Sequence, residues 1–108
     1  MRNKVQLIGH VGQDPEIKNL QEGKKFAKIT VATNEIYYKE NGDKVEQTEW
    51  HPVIAWGKTA EIIEKYATKG KEVVIVGKLT HRSYDDKNGE KKYVTEVLAN
   101  EVVIIGNR

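Results

Sequence analysis

The sequence predicts an all-β domain in which one helix interrupts five strands. Three observations carry this reading. Short segments rich in Val, Ile, Thr and aromatics recur between Gly, Asn and Asp. Two Asn-Gly pairs, Asn41-Gly42 and Asn88-Gly89, mark tight hairpin turns. Only one stretch carries apolar residues at helical spacing.

The first strand, about Lys4 to Val11, alternates Val5, Leu7 and Val11 with Gln6 and His10, and "GQDP" ends it. The second, about Lys25 to Tyr37, sets Ala27, Ile29 and Val31 against Lys28 and Thr30; Asn41-Gly42 then turns the chain, since both residues tolerate positive φ. The third lies in "EQTEWHPVIAWGK", which holds both tryptophans. A period of two puts Trp50, Pro52, Ile54 and Trp56 on one face, with Gln47, Glu49, His51 and Val53 on the other. Pro52 has no amide donor, so the strand is expected to be an edge or bulged there.

In "KTAEIIEKYATKG", Ile62, Ile63, Tyr66 and Ala67 share a helical stripe and Glu61 and Lys65 form an i,i+4 pair. Thr59 is expected to cap the start of this helix, Gly70 to follow its end in a left-handed conformation, and Tyr66 to enter the core. The fourth strand, about Glu72 to Tyr84, places Lys78, Thr80, Arg82 and Tyr84 opposite Ile75, Gly77, Leu79 and His81. Asn88-Gly89 joins it to the fifth, about Lys91 to Ile105. Five strands with the helix between strands 3 and 4 match the OB-fold, a Greek-key barrel that binds oligonucleotides or oligosaccharides. The whole chain, residues 1–108, reads as this single domain.

Eighteen Lys and Arg against sixteen Asp and Glu leave a net charge of +2, too mild to announce a polyanion partner by itself. Basic residues thicken at 23–28 and at 78–92, where acids dilute them. Cysteine is absent, which excludes disulfides and cysteine zinc sites. No apolar run approaches the roughly 20 residues of a membrane span, and the N-terminus has no signal-peptide pattern. These features predict a soluble, cytoplasmic protein.

Function is read from the aromatic positions. Tyr37 and Tyr84 stand where strands leave for charged hairpins, and on the fourth strand Lys78 and Arg82 share a face with Tyr84. Unpaired bases offer π-faces and their backbone offers negative charge, so rings beside cations suit single-stranded nucleic acid. An enzyme would have to start from Glu46, Glu49 and His51. Strand parity puts Glu46 opposite the other two, and His10 and His81 have no metal spacing with His51. No catalytic group, metal or cofactor is therefore predicted. An OB-fold binder of RNA or oligosaccharide is the alternative, since rings also stack on sugars.

In order and spacing, "NKVQLIGHVGQDPE", "ITVAT", "EQTEWHPVIAWGKTAE", "YATKGKEVVIVGKL" and "YVTEV" resemble the bacterial single-stranded-DNA-binding protein family over nearly the whole chain. The resemblance implies a homotetramer of OB-fold protomers that covers single-stranded DNA in replication, recombination and repair, near the nucleoid and without chemistry. It implies base stacking on Tyr37, Trp50, Trp56 and Tyr84. It also implies phosphate contacts from Lys4, Lys58, Lys69 and Arg82, with Lys28 and Lys78 adding charge nearby. Trp56 stands where relatives often carry Phe, and Tyr37 and Tyr84 where many carry Trp. Family members usually continue into a flexible linker and an acidic tip that recruits other enzymes. This chain stops at "EVVIIGNR", so recruitment is not expected of these residues.

Overall fold

A computed structural model describes residues 2–106; the last two residues of the "EVVIIGNR" segment lie outside them. The elements are β1 (Val5–Val11), β2 (Glu16–Asn19), a 3-10 turn at Gln21–Gly23, β3 (Lys25–Tyr38), β4 (Lys44–Trp56), α1 (Gly57–Tyr66), β5 (Glu72–Asp85) and β6 (Lys91–Gly106). The five long strands run in the order β1-β5-β6-β4-β3, and β1 returns to β3 through His10–Ala32 and Val11–Val31, closing the expected barrel. The short β2, which the sequence did not signal, adds to the β3 edge beside β1, with Lys18 opposite Phe26.

Alternation decides what the barrel encloses. Ala27, Ile29 and Val31 of β3, Val53 and Ala55 of β4, Val73 and Ile75 of β5, and Val97 and Ala99 of β6 point inward and are buried. Small β-branched and alanine side chains fill the interior. The helix closes one end with Ala60, Ile63 and Ala67, and an ion pair from Lys25 to Glu64 ties it to β3. Tyr66 does not join this stripe: it is 56% exposed, because a helix lying across a barrel end touches it along one narrow line. Thr59 is not the cap either. Trp56, with extended backbone, occupies the N-cap position and gives no side-chain hydrogen bond. Gly70 has the expected positive φ of 89°, but in a turn beyond the helix end, where its N–H donates to the Val11 carbonyl at 2.8 Å.

Both hairpins project past the barrel. From Lys44 to Pro52, β4 pairs with β3 alone, and from Lys78 onward β5 pairs with β6 alone. The radius of gyration, 15.9 Å, accordingly exceeds the roughly 13 Å of a compact chain of this length. The two tips have the same construction. Lys39 N–H donates to Asp43 O and Gly42 N–H to Lys39 O, while Asp86 N–H donates to Glu90 O and Gly89 N–H to Asp86 O. Only the glycines, at φ 91° and 78°, take the left-handed conformation, so Asn41 and Asn88 do not need it.

Candidate nucleic-acid interface

Both tryptophans and all five tyrosines lie outside the core, each at least 48% exposed, and Phe26 is half-buried. Rings of this size ordinarily supply the largest apolar burial in a domain. Rings kept on the outside leave an exposed aromatic surface of the kind that marks an interaction site.

The β3–β4 register organises this surface. Phe26 faces Trp56, Lys28 faces Ile54, Thr30 faces Pro52 and Ala32 faces Trp50, all on the outer side. Lys28 therefore stands on the same face as both tryptophans and between them. Pairing continues sideways from Ile54 to Leu98 and from Leu98 to Lys78, so Lys28 and Lys78 mark the two ends of a row crossing four strands. Pro52 fits for a geometric reason. The Thr30 carbonyl accepts the Gly12 N–H at 2.8 Å, so the amide edge of Thr30 faces β1, and Pro52 opposite it turns its missing donor toward the unpaired edge of β4.

Each tryptophan has its own support. A Cβ on Gly12 would lie 2.6 Å from Cζ3 of Trp50, so that indole rests on bare backbone and only glycine leaves room for it. Trp56 leans on Phe26, their centroids 4.7 Å apart and their planes inclined at 56°. Beside this pair opens a groove of about 340 Å³ lined by Lys18, Leu20, Phe26, Ile54, Trp56, Arg82 and Glu96. Here the outer faces of β3 and β4 meet the outer face of the β5–β6 hairpin.

Arg82 enters the groove already engaged. Its Nε donates to Glu96 Oε1 at 2.8 Å and its Nη2 to Oε2 at 3.2 Å, while its guanidinium carbon lies 5.9 Å from the centroid of the Tyr84 ring. The Glu96 hydrogen bonds, then its charge, raise the Arg82 pKa above its ordinary value. Among the described residues, Lys18, Lys28 and Lys78 take part in no ion pair.

The remaining residues named from the sequence are more scattered. Lys4 precedes β1, Lys58 lies in the first turn of α1, and Lys69 lies in the connection to β5, where its backbone N–H donates to Asp14 at 2.9 Å; all three side chains are exposed. Tyr37 is exposed on the β3–β4 hairpin, but strict pairing from Phe26–Trp56 to Tyr38–Lys44 puts it on the opposite face from Trp50, and Tyr38 on the same face. His51 bonds the Thr33 hydroxyl at 2.9 Å. Lys18 and Glu96 went unnoticed in the sequence. Lys18 lies in a four-residue strand with a single apolar residue, too short to show alternation. The signal for Glu96 was available: a carboxylate within the apolar run "YVTEVLA", diagonal to Arg82 once Asn88-Gly89 fixes the register.

Among the described residues no helix is long and apolar enough to cross a membrane. The model of the single-strand binding protein family matches residues 2–105. The chain is 45% identical over 105 residues to "Single-stranded DNA-binding protein 1" of Chlorobaculum tepidum, covering 96% of this chain and 65% of that protein. It is 40% identical over 107 residues to the protein of the same description from Xylella fastidiosa, covering 98% and 79%. Among solved structures, "Plasmodium falciparum SSB complex with ssDNA" superposes with a TM-score of 0.88 at 32% identity, covering 96% of this chain and 95% of that one. A match that runs through the barrel, both hairpins and the whole row of outward rings means that this chain belongs to the single-strand binding protein family.

Proposed function

We propose that the chain binds single-stranded DNA without reading its sequence, by stacking bases on Trp50, Trp56 and Tyr84, with Tyr37 reached on the hairpin, and that it performs no chemistry on the strand. The observation that carries this reading is the complete exclusion of Trp and Tyr from the core, with both tryptophans on one outer face and Lys28 between them. Exposed rings take bases of any identity, since every base has a π-face. Lysines provide the backbone contacts: Lys18, Lys28 and Lys78 around the row, then Lys4, Lys58 and Lys69 farther out.

The working unit in this reading is a homotetramer located with DNA in the cytoplasm. An outer patch on β1, β5 and β6 supports self-association: Ile8 and Val103 are exposed on either side of half-buried Val74.

The test is a tryptophan-fluorescence titration with poly-dT at two salt concentrations, beside Trp50→Ala and Trp56→Ala. Strong quenching is expected, with each substitution weakening binding by roughly 1–3 kcal/mol per stacked base. Unchanged affinity in both variants would remove the stacking assignment. Competition from RNA equal to that from DNA would move the reading to an RNA binder, and displacement by oligosaccharide alone would move it to a sugar binder.

A further inference from the structure

Glu96 is the one buried charged residue among those described, 1% exposed, and it lies in the wall of the groove that the DNA reading assigns to an anionic ligand. A carboxylate there works against a polyanion unless it has another task. Building on that DNA reading, we propose that Glu96 is a positioning residue: it fixes the Arg82 guanidinium against Tyr84 and cancels its charge, so that Arg82 meets DNA as a planar donor and not as a phosphate counterion.

The geometry supports each part. Arg82 and Val94 are opposite one another, as are Thr80 and Glu96, so the Arg82–Glu96 contact is diagonal across the β5–β6 pair and locked to its register. Thr80 Oγ1 donates to the Glu96 carbonyl at 3.3 Å, anchoring the same residue through its backbone. Both carboxylate oxygens are taken by Arg82, in the two-point match that a guanidinium makes with a carboxylate. Of the five N–H donors of arginine, two are spent and three remain, all in the guanidinium plane. They address base carbonyls, ring nitrogens or phosphate oxygens from a fixed direction. Arg82 also covers one side of Tyr84, leaving the other for a base.

The electrostatic consequence separates Arg82 from the lysines. Counterion release follows the charge a protein neutralises, about 0.7 in the logarithmic salt slope for each single-strand phosphate contact. An ion pair with no net charge adds little to that slope, whereas an unpaired lysine adds its share.

The experiment compares salt dependence of poly-dT binding in wild type, Arg82→Gln/Glu96→Gln, Glu96→Gln and Lys28→Gln, with thermal melting of each to verify folding. The double variant keeps the net charge and leaves no buried carboxylate without its partner. It is expected to keep the wild-type slope while losing affinity several-fold. Glu96→Gln frees a positive charge and is expected to steepen the slope by about 0.7 for each protomer engaged, while Lys28→Gln flattens it by the same amount. A flattened slope in the double variant would make Arg82 an ordinary phosphate counterion and overturn the proposal. So would a double variant that binds like wild type. Absence of poly-dT binding by the wild-type protein would instead remove the function proposed above, so the two failures are distinguishable.

Discussion

At the scale of single residues, the surface depends on what lies under each ring as much as on the ring itself. Trp50 is 60% exposed and keeps its position only because Gly12 presents no side chain against its ring. Gly12 is not among the residues with positive φ, so alanine suits its backbone and also reduces the entropy of the unfolded chain. Gly12→Ala is therefore expected to leave the melting temperature near wild type while lifting the indole. Poly-dT affinity should drop several-fold, less than for Trp50→Ala, with a changed emission maximum in the free protein. Wild-type affinity in this variant would mean that the ring position seen here is unimportant for binding. The sequence showed which face each tryptophan takes, because a period of two suffices for that. It could not show the seat, because Gly12 and Trp50 are adjacent only after β1 has closed on β3. Tyr66 failed for a related reason: helical spacing permitted four apolar residues on a stripe, and only packing against the barrel end selects Ala60, Ile63 and Ala67.

At the scale of elements, the five long strands and the helix were legible because alternation and Asn-Gly turns are local signals. The four residues of β2 were not, since their pairing with Lys25–Lys28 is supplied by the partner strand. The hairpins show the limit of face arguments. Inside the barrel, one side of a strand is buried and parity separates core from surface. Beyond it, β3 and β4 form a two-stranded ribbon with solvent on both sides, and Tyr37 on this ribbon points to the opposite face from Trp50, which stands where β1 still pairs with β3. A strand of DNA touching both must cross the ribbon edge. Tyr37→Ala is accordingly expected to leave short oligo-dT, long enough only for the Trp50–Trp56 face, with unchanged affinity. Binding of oligomers long enough to wrap the hairpin should weaken by roughly 1–3 kcal/mol. Equal loss at all lengths would show that the ring shares the tryptophan track and that the ribbon twists more in the complex than in the free protein.

At the scale of the whole molecule, the apolar patch on β1, β5 and β6 lies beyond the Lys78 end of the proposed DNA track and far from the Arg82 groove. Val74 and Arg82 are on the same strand and face about eight residues apart, roughly 26 Å at 3.3 Å per residue. Ile8 and Val103 flank Val74 at 54% and 53% exposure, a continuous apolar strip that a lone protomer would leave in water. If four copies cover such strips, light scattering will give a mass about four times the 12.3 kDa of one chain. Val103→Glu then puts a charge into each contact, where desolvation penalises it. In a separate protomer the same side chain reaches water and costs little, so the variant is expected to fold and to scatter at a lower mass. Binding of short oligo-dT should survive, because no residue of the tryptophan row has changed. Poly-dT affinity should fall much further, because linked protomers hold one strand at high effective concentration and separated ones do not. A wild-type mass of one chain, or a variant of unchanged mass, would show that this patch is not the contact and that the rings of a single barrel must carry the strand alone.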